Sequence, residues 1–70
     1  MRYLVIVEEG PTSFGAYVPD LPGCIATGET KEEVLALIHD AIEFHIEGLK
    51  KDGLPIPRSS SYSELVEIAA

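Results

Sequence analysis

The residues that could do chemistry in this sequence are few, and their spacing excludes most reactions. Metal-dependent phosphodiester cleavage needs several carboxylates converging on two cations roughly 4 Å apart. Glu8, at the end of a strand, and Asp20, in a loop, could approach one another, but no further ligand joins them. Asp40, Glu43 and Glu47 fall on the outer stripe of a helix and read as a solvated acidic face. His39 and His45 would diverge by roughly 120° around that helix, whereas paired helical zinc ligands sit one turn apart. His39 and Glu43 do have the one-turn spacing, yet two ligands are not a site. His45 lies near the middle of the apolar face and reads as a core histidine, with a pH-sensitive contact as the alternative. Cys24 would need a neighbouring base and an oxyanion site to act as a nucleophile. The local sequence offers neither, so Cys24 reads as a small buried hydrophobe. Gly10, Gly15 and Gly23 lack the strand–loop–helix context of a phosphate loop. No catalytic residue, metal ligand or cofactor is expected, and the chain is not expected to be an enzyme.

Charge narrows the partners. Twelve acidic residues against five basic ones give a net charge of -7. Such a surface repels nucleic-acid phosphates and anionic lipid and attracts a basic protein. Arg2, Lys31, Lys50, Lys51 and Arg58 are scattered and form no basic stripe. Seventy residues allow one small domain, residues 1–70, with no room for a second. A fold of this size buries only about 60% of its unfolded surface. A lone cysteine excludes an internal disulfide, so association between copies is the expected source of extra stability. The apolar runs are far short of the ~20 residues that span a bilayer. Together with the single cysteine, this predicts a cytoplasmic protein with no membrane contact.

The elements that would position these residues read as β-β-β-α-β. Arg2 to Glu8 is β-branched and apolar on both faces, which predicts a central strand. Glu9-Gly10-Pro11-Thr12 supplies a turn, and Ser13 to Val18 returns antiparallel. Pro19 ends that strand. Leu21-Pro22-Gly23-Cys24 places proline and glycine at the centre of a type II turn, and Cys24 to Gly28 forms a third strand. Thr30 and Glu33 have the spacing of a capping box at the start of a helix over Lys31 to Lys51. Gly53 closes that helix, and Pro55 and Pro57 forbid its continuation. Val34, Ile38, Ala41, Ile42, His45 and Leu49 centre its apolar face, flanked by Leu37 and Phe44 on one side and by Leu35 and Ile46 on the other. That arc is wider than a small sheet needs, so Leu37 and Phe44 are the candidate oligomer contacts. Tyr62 to Ala69, carrying Leu65, Val66 and Ile68, is expected to be a last strand. The fold class is α+β: a small antiparallel sheet with one helix packed on one face.

The run Gly15-Ala16-Tyr17-Val18-Pro19-Asp20-Leu21-Pro22-Gly23-Cys24, followed by Gly28-Glu29-Thr30-Lys31-Glu32-Glu33 and Gly53-Leu54-Pro55-Ile56-Pro57, resembles the HicB antitoxin family. The resemblance covers almost the whole chain. It implies a degenerate ribonuclease H-like fold without catalysis, and a role in binding HicA, a small basic toxin that cleaves messenger RNA. It also implies a homodimer or homotetramer. Tyr17, Val18, Pro19, Asp20, Leu21, Pro22 and Gly23 are the residues it places against the toxin. Pro19, Pro22 and Gly23 also set the turn, and Asp20 either caps a backbone N–H or pairs with a partner's cation. Many members of the family carry a second, C-terminal DNA-binding domain, which is not expected here. Its absence leaves a second reading: a solitary homo-oligomeric adaptor or ligand-binding module with no toxin. A residual nuclease using Glu8 and Asp20 is a distant third.

Overall fold

A computed structural model describes residues 1–70. Three strands, β1 (Ile6–Glu9), β2 (Phe14–Tyr17) and β3 (Ile25–Gly28), form one antiparallel sheet in the order β1-β2-β3. The helix α1 (Lys31–Lys51) follows and packs across β3 and β2. Register is set by pairs such as Val7 with Ala16 and Ala16 with Ala26. These pairs lie on the sheet face that carries the core. A one-residue slip would turn every apolar side chain to the other face, so the burial pattern holds the register.

The helix limits follow from its caps. The Thr30 hydroxyl accepts a hydrogen bond from the Glu33 backbone N–H at 3.0 Å. The Glu33 carboxylate in turn accepts from the Glu29 N–H at 3.1 Å, one residue before the position that the capping-box pattern predicts. At the other end Gly53 adopts φ 69°, Gly53 N–H donates to the Lys50 carbonyl, and Leu54 N–H donates to the Leu49 carbonyl. That pair of bonds is the Schellman motif, and it satisfies carbonyls that the last turn would otherwise leave without a donor. Acidic residues lie in the first turn and lysines in the last, as the helix dipole favours.

Ala16, Val18, Leu21, Cys24, Val34 and Ile38 form the buried core, with Tyr3, Val5, Val7, Phe14, Ala26, Ala41 and Ile42 packed around it. Leu21, Val34 and Ile38 are the largest side chains fully removed from water. Each such burial is worth roughly 1.5–3 kcal/mol. Gly28 lets β3 run directly into the helix. A Cβ there would sit 3.0 Å from the Glu33 carboxylate and 3.1 Å from the Val34 nitrogen.

Two expectations are corrected. The first strand is an edge strand, not a central one; β2 holds the centre. Its second apolar face, Leu4 and Ile6, is half-buried with no strand on its outer side. The expected last strand over Tyr62 to Ala69 does not form within the chain: no helix or strand follows α1. A strand requires a neighbour to bond with, and this segment has none. Leu65 is 99% exposed, and Val66 and Ile68 are also out in solvent. The long axis of 49 Å exceeds the roughly 31 Å of a 21-residue helix, consistent with a tail that stands off the body.

Candidate partner-binding site

The loop from Val18 to Cys24 is built by two consecutive turns. Leu21 N–H donates to the Val18 carbonyl at 3.1 Å, and Cys24 N–H donates to the Leu21 carbonyl at 3.1 Å. Val18 N–H closes the base by donating to the Cys24 carbonyl at 3.2 Å. Gly23 takes φ 84°, the value that the third position of a type II turn requires. Leu21 plugs the loop into the core from below. The result is a rigid projection rather than a loose connection.

This geometry sorts the expected binding residues. Val18 and Leu21 face the core and are buried, so they shape the loop and offer no surface. Their apolar side chains sit where the turn reverses over the sheet, and burial there is what makes the loop rigid. Pro19, Pro22 and Gly23 form the exposed rim, with Tyr17 at 41% exposure beside them. Asp20 takes the capping role. Its carboxylate accepts from the backbone N–H groups of Ser60 and Ser61, each at 3.0 Å, and from their hydroxyls at 3.1 and 2.9 Å. The Ser61 N–H is the main cause that holds the Asp20 carboxyl below its ordinary range; partial desolvation opposes it, and the two hydroxyls and the Ser60 N–H reinforce it. A further bond of 2.5 Å runs from the Tyr3 hydroxyl to the Pro57 carbonyl. These two links lash the segment after the helix across one end of the sheet.

The sequence did not reveal Ser60 and Ser61 as the partners of Asp20. The only signal was a run of serines with no local acceptor. Nor did it reveal a groove of about 650 Å³ between the chain before β1 and one stripe of the helix. Met1, Tyr3 and Val5 line one wall, and Leu35, Ile38, Ile42 and Ile46 line the other.

The catalytic alternatives lose their geometry. Ile6 pairs with Tyr17, so continuing that register sets Asp20 beside the chain near Tyr3. Glu8 lies five residues further along the strand, roughly 16 Å away, and the two carboxylates do not converge. His39 Nδ1 lies 3.3 Å from Glu43 and 3.5 Å from Asp40, but all three side chains are solvated. Such pairs contribute little in water. Cys24 is buried in the core, and desolvation raises its thiol pKa, so it is held as an inert thiol. His45 is half-buried, and Leu37 and Phe44 are exposed on the helix. No helix is long and apolar enough to cross a membrane.

A three-stranded antiparallel sheet with a single helix packed on it and a loop closed by two turns define a small α+β module. Residues 3–69 match the HicB-like antitoxin of bacterial toxin–antitoxin systems, and the chain belongs to that family. It is 42% identical over 62 residues to a UPF0150 protein of Thermoplasma acidophilum, covering 87% of this chain and 90% of that one. It is 35% identical over 71 residues to Antitoxin HicB 2 of Photorhabdus laumondii, covering all of this chain and 51% of that protein. A protein of Haemophilus phage HP1 is 33% identical over 66 residues, with half of its length covered. The chain thus spans about half of some relatives and nearly all of others. No solved structure matches the chain at the same stringency.

Proposed function

We propose that this chain is a non-catalytic antitoxin that binds and neutralises a small basic toxin of the HicA type, one that cleaves messenger RNA. Membership of the antitoxin family over residues 3–69 carries this reading. The net charge of -7 supports it, because an acidic protein meeting a basic RNA-binding toxin gains in encounter rate and selectivity. Tyr17, Pro19, Pro22 and Gly23 form the contact rim, with Asp20 holding the loop to the tail rather than meeting the toxin. The complex is cytoplasmic, and its antitoxin copies associate through Leu37 and Phe44.

The test is titration of the purified chain against a purified HicA-type toxin, read by calorimetry and by cleavage of a reporter RNA. Stoichiometric binding that weakens as salt rises, together with protection of the RNA, is the expected result. Tyr17→Ala should weaken binding by at least about tenfold if Tyr17 anchors the rim. Unprotected RNA and no heat of binding would reject the antitoxin reading.

A second reading is a homo-oligomeric adaptor with no toxin. Phe44, 79% exposed on the helix, favours association between copies. The matched UPF0150 protein of Thermoplasma acidophilum is almost wholly covered by this chain. A defined oligomer that ignores the toxin would select this reading.

A further inference from the structure

The sheet has two faces, and the helix covers only one of them. Val7, Ala16 and Ala26 pack into the core under the helix, so their neighbours along each strand point the other way. The register sets these outward side chains in two cross-strand rows. Ile6, Tyr17 and Ile25 form one row, and Glu8, Gly15 and Thr27 form the other. No helix or strand lies over either row. The first row is apolar from edge to edge, roughly 10 Å across two strand spacings. Tyr17 is 41% exposed in it and Ile25 69%. Ile25 is thus a large β-branched side chain left mostly in water on a paired strand.

Gly15 stands at the centre of the second row, and the fold itself gives no reason for a glycine there. Its strand pairs on both sides without a bulge. Its φ is not positive, since only Gly23 and Gly53 take positive values. A Cβ added at Gly15 would meet nothing within 4 Å. Glycine inside a central strand weakens it, and where no bulge or bend requires it, it marks a place where other atoms approach the backbone closely. Glu8 flanks this opening, its Cβ roughly 5 Å from where a side chain at position 15 would begin. The Glu8 carboxylate takes no part in the hydrogen bonds or ion pairs of the chain, and neither row holds a cation. The face therefore joins a bare stretch of backbone, a free carboxylate and an apolar row. A lysine or arginine from outside matches all three. Its aliphatic stem lies over Gly15 beside the Tyr17 ring, its charged head reaches Glu8, and an apolar neighbour covers Ile25.

We propose that this open sheet face, centred on Ile25 and the Glu8–Gly15 opening, receives the basic toxin, with a toxin lysine or arginine laid over Gly15 and paired with Glu8. This rests on the antitoxin reading and extends the contact from the loop rim onto the sheet. Calorimetric titration of the full chain and its variants against a purified HicA-type toxin tests it. Gly15→Val should weaken binding on the order of tenfold or more. Its urea midpoint should be unchanged or raised, because the added side chain meets nothing in the fold. Ile25→Asp should weaken binding at least as much. Glu8→Lys and Glu43→Lys alter the net charge equally, but Glu43 lies on the helix, away from this face. Glu8→Lys should weaken binding about tenfold or more, and Glu43→Lys by less than about threefold. If the wild-type chain binds the toxin and protects RNA while Gly15→Val and Ile25→Asp bind equally well, the surface is overturned and the antitoxin reading stands. Equal losses in the two charge reversals would also overturn it, since the charge would then act through the whole molecule. A wild-type chain that ignores the toxin overturns both. An oligomer that Ile25→Asp dissolves, with toxin affinity unchanged, would assign the face to a second copy and overturn the proposal.

Discussion

The loop from Val18 to Cys24 and the tail from Tyr62 to Ala70 are both irregular, and both carry aliphatic side chains, yet they are held in opposite ways. In the loop, Leu21 is wholly buried; in the tail, Leu65 is 99% exposed. The difference is not hydrophobic content. Three backbone hydrogen bonds and one left-handed glycine fold the loop back over the core. The tail has no bonding partner beyond Ser61. An apolar side chain stabilises a structure only where the backbone can deliver it to other apolar atoms while keeping its own polar groups bonded.

The largest test of this contrast pairs two leucines. Leu21→Ala should destabilise the chain by roughly 2–5 kcal/mol, a large share of the stability of so small a domain. Leu65→Ala should change it by less than about 0.5 kcal/mol when urea unfolding is followed at concentrations where the chain is monomeric. Equal effects would mean that the tail packs on its own body. A smaller test concerns the turn. Gly23→Ala forces a side chain into the left-handed region and should cost roughly 1–2 kcal/mol, read as a lowered urea midpoint with an unchanged slope. A neutral result would show that the loop can find another turn.

The smallest effect is expected at the link between the two regions. Asp20→Ala should leave the unfolding midpoint nearly unchanged but let the Ser60 and Ser61 amides exchange with solvent like free peptide. The same link should respond to acid. Hydrogen bonding lowers the Asp20 carboxyl's pKa in the folded state, so its contribution is complete above the ordinary carboxylate range. It fades as pH falls through that range and then through the lowered value. Acidification should therefore lower the protection factors of the Ser60 and Ser61 amides, measured against the free-peptide rate at each pH, and have no such effect in Asp20→Ala. Slow exchange at these amides in the variant would show that something other than the carboxylate holds them.

Much of this contrast was legible in the sequence on the loop's side and little on the tail's. The limits of the helix, Lys31 to Lys51, were readable because Thr30, Glu33 and Gly53 act on backbone groups only a few residues away. The type II turn was readable for the same reason: proline and glycine each restrict their own φ. The inward turn of Val18 and Leu21 was not, because it depends on how the loop reverses over the sheet. The edge position of β1 and the absence of a strand over Tyr62 to Ala69 were also hidden. A strand's existence is decided by a neighbour that may be sixty residues away, and β-branched composition says only that a segment is ready to pair. Asp20 shows the same limit, since its serine partners lie 40 and 41 positions along the chain.

The Asp20 link also bears on the order in which the chain assembles. β1 meets β2 across a short turn, β2 meets β3 across the loop, and the helix begins two residues after β3. The strand pairings of the sheet and the packing of β3 on the helix therefore join segments close in sequence, which favours rapid folding. The bonds from Ser60 and Ser61 to Asp20, and from Tyr3 to Pro57, close far longer chain loops and carry the larger entropic cost. That cost favours their closing after the sheet and helix have met. A nascent chain would thus complete the Val18 to Cys24 loop before its tail is fastened there.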